Sequence, residues 1–200
     1  MEFALSLCLG IGLSAACGFR VFVPMLGMSV ASIAGHLSLS PGFEWIGTWP
    51  AFLCFLAATS LEITAYYVPW LDNLLDTIAT PAAIVAGTIT LAATLAPTPI
   101  VSDMSPLLRW SLALIAGGSV AAIIQLGTVT LRGASTVSTA GLANFLVSTL
   151  ELALSVLTTL LAIALPLLCL LLVIATTSLL LHRRLSRRRK SPAPNLKSQT

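Results

Sequence analysis

The stretch SLEITAYYVPWLDNLLDTIATP, residues 60–81, decides how the rest of the chain is interpreted. Apolar segments of helical length flank it on both sides, yet it carries three carboxylates, Glu62, Asp72 and Asp76. Ionisable side chains at membrane depth are costly, and they normally face a protein interior or a water-filled cavity. The stretch therefore predicts a membrane protein whose functional site lies in or beside these residues.

The composition is that of a polytopic membrane protein. Of the 200 residues, 57% are hydrophobic and only 8% are charged, whereas a soluble domain has about 25% charged residues. We expect a single integral membrane domain over residues 1–182. The four cysteines are scattered through apolar segments without metal-ligand spacing, so we predict buried thiols, no metal site and no cofactor.

Basic residues are concentrated at the C-terminus. Seven of the ten Lys and Arg residues lie beyond residue 181, whereas all seven acids lie before it. By the positive-inside rule, we predict that residues 183–200 form a basic, disordered cytoplasmic tail. Membrane lipids are expected partners and nucleic acid is not, because no folded basic face accompanies the tail.

The apolar body and the lack of a cleavable signal pattern favour the bacterial inner (plasma) membrane, with a photosynthetic membrane as the alternative. Apolar runs and their interruptions predict about six membrane segments. These are residues 3–34 (broken at Gly18-Phe19-Arg20 and at Pro24), 50–68, 81–96, 107–126, and the run 144–181 divided near Pro166.

The segments between the spans have their own signatures. Residues 35–49 read as an interfacial loop, and residues 70–80 as a short helix before a span that Pro81 opens. Residues 127–141, GTVTLRGASTVSTAG, predict an irregular or re-entrant segment. Ser105 precedes Pro106 and is a predicted helix N-cap. Small residues in the first segment predict close helix packing: Gly10, Gly12, Ser14, Ala16 and Gly18.

The two halves of the chain resemble each other. Residues 12–27 align with residues 118–133, each with one arginine, although Arg20 and Arg132 are six columns apart. Ser60-Leu61-Glu62 aligns with Thr149-Leu150-Glu151. An odd number of spans per half would invert the halves in the membrane, as in small transporters with broken helices. We therefore predict an all-α fold of two inverted three-span repeats with broken or re-entrant helices, residues 3–97 and 106–182.

The repeat predicts a meeting of opposite charges near its pseudo-twofold axis. A buried charge is tolerated when it is paired, and two arginines would meet two glutamates there. The remaining carboxylates would be protonated, bind a cation, or lie at water level. The predicted substrate- or ion-binding residues are Arg20, Glu62, Tyr66, Asp72, Asn73, Asp76, Arg132 and Glu151.

Two motifs resemble a known family. GFRVFVP at residues 18–24, and YVPWLDN at residues 67–73 with Asp76 and Thr80-Pro81, are similar to an uncharacterised family of small bacterial membrane proteins, domain of unknown function forty-one twenty-six. A weaker match covers residues 135–151, where the family tends to have Asn-Pro and an acidic pair; here Phe145 and Leu152 depart from that pattern. The resemblance implies membrane residence and supports the choice of site residues, without implying an activity.

Three classes of function are weighed. The first is a small secondary transporter or lipid-carrier flippase, in which the acids couple to protons and the arginines engage an anionic lipid or small anionic substrate. The second is a non-transporting scaffold or assembly factor, with homo-oligomerisation left open, whose polar residues tie helices together. An intramembrane enzyme is the least favoured, because the chain has no HExxH, GxSxG or metal-ligand motif, and we predict no catalytic residues.

Overall fold

The computed structural model describes the backbone of residues 1–66, 68–95, 101, 103–139 and 143–189, and within these ranges the side chains of residues 69–76 and 180–189 are not described. The described backbone is helical and contains no β-strand, which confirms the all-α class. The elements are α1 (Glu2–Cys17), α2 (Phe22–Ile33), a 3₁₀ turn (Glu44–Gly47), α3 (Trp49–Tyr66), α4 (Pro69–Thr94), α5 (Pro106–Leu112), a π-helical segment (Ala113–Gly118), α6 (Ser119–Thr139), α7 (Asn144–Ala164) and α8 (Pro166–Arg189).

Four helical stretches of the described chain are long and apolar enough to cross a membrane: Trp49–Tyr66, Thr77–Thr94, Pro106–Thr139 and Asn144–Ala164. Three further apolar helices are shorter: Glu2–Cys17, Phe22–Ile33 and Pro166–Leu179. A span of a 30 Å hydrocarbon core needs about 20 helical residues. The four long stretches therefore indicate an integral membrane protein.

Prolines mark several helix starts, as the sequence predicts. Helix α4 begins at Pro69 and helix α8 at Pro166, where the missing N–H of proline has no intrahelical acceptor to lose. Helix α5 begins at Pro106, after Ser105, whose hydroxyl accepts a hydrogen bond from the Leu108 N–H at 3.3 Å. The predicted N-cap is thereby confirmed.

The interruptions predicted at Pro81 and Pro24 are wrong, because both prolines lie within helices. Helix α4 runs through Pro81 without ending, so residues 70–80 and the following span form one 26-residue helix. A proline removes one backbone hydrogen bond, a loss that a membrane helix tolerates when neighbouring groups satisfy the freed carbonyl. Pro24 does not interrupt α2 either, because it lies in the first turn of that helix.

The predicted irregular segment is also wrong over residues 127–139, which belong to α6. Its hydroxyls donate to carbonyls one turn earlier, as Thr130 does to Leu126 at 2.6 Å and Thr136 to Arg132 at 3.0 Å. These bonds satisfy the polar side chains within the helix itself, so a Ser/Thr-rich sequence remains helical. Residues 140–142 lie outside the description.

Helix α1 lies at the centre of the bundle and packs against α4, α6, α7 and α8. Its glycines allow this close approach. A Cβ atom on Gly12 would lie 2.8 Å from both Ala162 Cβ and Cys169 Sγ, and one on Gly18 would lie 2.6 Å from the Ala121 carbonyl oxygen. The predicted packing through small residues is confirmed.

The C-terminal basic segment differs at its start from the predicted disordered tail. Helix α8 extends to Arg189, so the backbone of residues 183–189 is helical. Residues 190–200 lie outside the described part of the chain.

Candidate functional site

A buried cluster of charged and aromatic side chains forms where the link between α1 and α2 meets α3, α6 and α7. The link is a tight turn, because the N–H groups of Gly18 and Arg20 donate to the carbonyls of Ala15 and Ala16 at 3.0 and 3.1 Å. This turn places Arg20 inside the bundle, where only 2% of its surface is exposed. We call the site the arginine cluster: Arg20, Glu62, Tyr66, Arg132, Ser148 and Glu151.

The described side-chain hydrogen bonds of Arg20 are all made by one nitrogen. Its Nη2 donates to the carbonyl oxygen of Ser148 at 2.9 Å and to the hydroxyl oxygen of the same residue at 2.5 Å. The same nitrogen lies 3.8 Å from Glu151 Oε2, which is an electrostatic contact beyond hydrogen-bond range. Nε and Nη1 are buried and have no hydrogen-bond partner in the described part of the chain.

Arg132 is paired with a carboxylate. Its Nε donates to Glu151 Oε1 at 2.9 Å, and its Nη2 donates to Glu151 Oε2. The side chains are 4% and 3% exposed, so the pair lies inside the bundle and ties α6 to α7. Two parallel bonds between a guanidinium and a carboxylate are the strong, geometrically specific form of this interaction.

Both guanidinium groups lie over the same aromatic ring. The Cζ atoms of Arg20 and Arg132 are 3.8 and 4.1 Å from the centroid of the Tyr66 ring. A cation within about 6 Å of an aromatic face is attracted by the quadrupole of the ring, more so when water is excluded. Tyr66 therefore helps two like charges to lie close together.

Glu62 binds backbone. Its Oε1 accepts the Val21 N–H at 2.9 Å and its Oε2 accepts the Phe22 N–H at 3.1 Å. These donors lie at the start of α2, where backbone N–H groups have no intrahelical acceptor and the helix dipole favours negative charge. The carboxylate thus caps α2 from the side of α3, and fixes the link that carries Arg20.

An apolar cleft adjoins the arginine cluster. It has a volume of about 570 Å³ and lies between α6, α7 and α8, and we call it the α6–α7–α8 cleft. Phe19, the neighbour of Arg20, and Glu151 both line it. Its other walls are mainly aliphatic or small side chains, including Ile124, Leu131, Ala134, Val147, Leu150, Leu154 and Leu179.

The predicted meeting of two arginines and two glutamates is observed, but with a different pairing. Both arginines approach Glu151, whereas the described hydrogen bonds of Glu62 are to backbone N–H groups. Tyr66 joins the cluster as expected. Asp72, Asn73 and Asp76 belong to α4, and their side chains lie outside the description.

Ser148 is the one member of the arginine cluster that is not predicted from the sequence. It lies three residues before Glu151 on α7, so both side chains occupy one face of the helix, and this spacing was the available signal. Its neutral oxygens, not a carboxylate, take the hydrogen bonds of Arg20. Among the residues with described side chains, no group of three or more His, Cys, Asp or Glu could hold a metal ion.

Of the comparisons with known proteins, the comparison with protein families gives a match. No curated protein and no solved structure matches the chain. The family described as Domain of unknown function (DUF4126) matches residues 7–185, which include every residue of the arginine cluster. The chain therefore belongs to this family.

Proposed function

We propose that the protein is a small membrane carrier, a secondary transporter or lipid-carrier flippase, that binds an anionic group at Arg20. The observation that carries the proposal is the state of this guanidinium. Of its five N–H donors, the one on Nε and the two on Nη1 are buried without a partner among the described residues. A buried charge with unmet hydrogen-bonding capacity is costly, and such groups at membrane depth mark functional sites.

The neighbouring carboxylates are already engaged. Glu151 accepts two hydrogen bonds from Arg132, and Glu62 accepts two from the start of α2. Arg20 is left with the neutral oxygens of Ser148 and a longer contact to Glu151. An exogenous carboxylate or phosphate would supply the acceptors that these residues do not.

The proposal extends to the architecture. Glu62 and Glu151, which align in the predicted repeat, are both buried, and the leucines before them, Leu61 and Leu150, are both exposed. This correspondence favours two inverted three-span halves that meet at the arginine cluster. Proton coupling through Asp72 and Asp76, and a bacterial inner-membrane location with a cytoplasmic C-terminus, complete the proposal.

A non-transporting scaffold is the second candidate, and two observations favour it. Glu62 ties α3 to α2, and the Arg132–Glu151 pair ties α6 to α7. If such ties were the whole role of the charges, neutral replacements would lower the protein level or change the oligomeric state and would leave ligand binding untouched. Membrane hydrogen bonds contribute only about 0.6 kcal/mol on average, so several would be needed.

Native mass spectrometry of the gently solubilised protein distinguishes the two candidates. Wild type is compared with Arg20→Gln and with the matched control Arg109→Gln, which removes an arginine that donates to the Ala92 carbonyl at 3.0 Å. We expect wild type and the control to retain a defined anionic lipid or metabolite that Arg20→Gln has lost. Equal ligand retention in all three, with a changed oligomeric state only in Arg20→Gln, would contradict the carrier and support the scaffold.

A further inference from the structure

We infer that the anionic substrate is a membrane lipid, with an acyl chain in the α6–α7–α8 cleft and its charged headgroup at Arg20. This inference rests on the proposed function and names the class of molecule that the carrier binds. It is drawn from the juxtaposition of an apolar cleft, a buried arginine with unpartnered donors, and a carboxylate that touches both.

The cleft has the size and lining of a site for an apolar chain. Its volume of about 570 Å³ falls within the range of about 300–1,000 Å³ that is typical of small-molecule sites. Leu131, Leu150 and Leu179 line it and are each about half exposed. In a bilayer these side chains would meet lipid tails, so a lipid can enter the cleft sideways from the membrane. A water-soluble anion would gain nothing from such walls.

The hydroxyl groups in the cleft do not require a polar ligand. Thr128 donates to the Gln125 carbonyl at 2.9 Å, and Thr176 donates to the Leu172 carbonyl at 2.9 Å. Thr130 likewise donates to the Leu126 carbonyl within α6. Because these hydroxyls are satisfied within their own helices, they present mainly their methyl groups to an occupant.

The lining of the cleft includes one charged residue, and the geometry around it favours an anion over a cation. Glu151 lines the cleft, but both of its oxygens already accept hydrogen bonds from Arg132. Arg20 lies directly behind this lining: its Nη2 is 3.8 Å from Glu151 Oε2, and its chain neighbour Phe19 lines the cleft. The unmet capacity is therefore that of a donor, Arg20, and a phosphate headgroup would compete with Glu151 for it.

The test measures retention of lipids with identical acyl chains and different headgroups. Purified protein is incubated with an equimolar mixture of phosphatidylglycerol and phosphatidylcholine, and bound lipid is quantified by native mass spectrometry. Variants are Arg20→Gln, which removes the headgroup contact, and Ala134→Phe, which fills the cleft from α6. The control is Val137→Phe, the same bulk one turn along α6 at a residue that is 90% exposed and is not among those lining the cleft.

We expect wild type and Val137→Phe to retain phosphatidylglycerol in preference to phosphatidylcholine, and the other two variants to retain at least tenfold less. Glycerol 3-phosphate, which has the headgroup charge without acyl chains, distinguishes the anion site at Arg20 from the chain site in the α6–α7–α8 cleft. Its weak binding should disappear in Arg20→Gln and persist in Ala134→Phe. Full retention of phosphatidylglycerol in Ala134→Phe, with loss in Arg20→Gln, would overturn the chain site and leave the anion site standing. Equal retention in every variant would overturn both sites, and equal retention of the two lipids by wild type would overturn the anion site.

A second measurement covers the case in which Ala134→Phe does not fold. Wild-type protein in nanodiscs is irradiated with phosphatidylglycerol that carries a photoreactive group at mid-chain, and the modified peptides are mapped. Adducts should concentrate on Leu131, Leu150 and Leu154, and an excess of unlabelled phosphatidylglycerol, but not of phosphatidylcholine, should suppress them. Adducts spread evenly over the lipid-facing leucines of α3, such as Leu53 and Leu61, would contradict the inference.

Discussion

The two glutamates of the arginine cluster come from aligned triplets, yet they bind opposite kinds of partner. Glu62 on α3 accepts hydrogen bonds from two backbone N–H groups at the start of α2. Glu151 on α7 accepts them from the guanidinium of Arg132. The backbone N–H groups at a helix start are fixed in position, whereas a side chain can change its hydrogen-bond partner. We therefore expect Glu62 to have a fixed structural role, and we propose that Glu151 can lose its longer contact with Arg20 when an anion binds.

The two arginines differ in the corresponding way. Both lie over the Tyr66 ring, but only Arg132 has a carboxylate within hydrogen-bond range among the described side chains. Arg20 is bound by the neutral oxygens of Ser148, and its other two nitrogens have no hydrogen-bond partner among the residues that the structure describes. This asymmetry is the reason why we propose Arg20, and not Arg132, as the anion-binding residue.

Replacing Glu151 is expected to have the largest effect on stability. Glu151→Ala removes the carboxylate that accepts two hydrogen bonds from the buried guanidinium of Arg132, and loss of one partner of a buried pair costs about 3–5 kcal/mol. The double variant Arg132→Met/Glu151→Leu should recover most of this loss, because apolar groups of similar volume often replace a buried pair without penalty. Unfolding in mixed micelles titrated with sodium dodecyl sulfate measures both. A double variant as unstable as Glu151→Ala would contradict the pairing.

Replacing Glu62 should have the next largest effect. Glu62→Ala removes a charged acceptor from two backbone donors and is expected to lower the free energy of unfolding by about 3 kcal/mol. Glu62→Gln should lose less, since its amide oxygen still accepts one of the two hydrogen bonds. The matched control is Glu44→Ala, which removes an exposed carboxylate that accepts the Gly42 N–H at 2.7 Å. If Glu62→Ala and Glu44→Ala unfold alike, Glu62 does not cap α2.

A smaller effect is expected at Gly18, which lies in the link between α1 and α2 that carries Arg20. A Cβ atom there would lie 2.6 Å from both the Ala121 carbonyl oxygen and Ile124 Cβ, so α1 and α6 must separate. We expect Gly18→Ala to cost about 2 kcal/mol by overpacking and to weaken ligand retention by displacing Arg20.

Gly133→Ala is its matched control, because a Cβ atom at Gly133 meets nothing within 4 Å. Alanine is the better helix former, so this variant should be unchanged or more stable by up to about 1 kcal/mol. Thermal unfolding followed by tryptophan fluorescence checks the pair. Equal stability of the two variants would show that the contact between α1 and α6 is looser than described.

The sequence predicted the all-α class, the proline-marked helix starts and the small-residue packing of α1, because these depend on local chemistry. The predicted helix boundary at Pro81 and the predicted irregular segment over residues 127–139 are wrong. Residues that break helices in water can lie inside membrane helices, because neighbouring helices and hydroxyl groups satisfy the backbone there. The six-segment inverted repeat stays a prediction, because the described chain supports four helices of spanning length.

Within the site, the sequence indicated which charged residues meet but not how they pair. Charge and the alignment of the two halves predict that Glu62 and Arg20 lie in one cluster. They do not predict which groups form hydrogen bonds with either residue. The acceptors of Arg20 come from Ser148, an ordinary residue in composition, and the donors to Glu62 are backbone groups that any sequence carries. Hydrogen-bond partners of this kind cannot be recognised from the types of residue in a sequence.

The most direct test of the central claim is nitrogen-15 NMR of arginine side chains in nanodiscs. The Nε signals of Arg20 and Arg132 are assigned by their loss in Arg20→Lys and Arg132→Lys, and spectra are compared as phosphatidylglycerol replaces phosphatidylcholine. We predict that the Arg20 signal shifts, while that of Arg132, which is held by Glu151, changes little. An unchanged Arg20 signal, or a shift confined to Arg132, would contradict the assignment of Arg20 as the anion-binding residue.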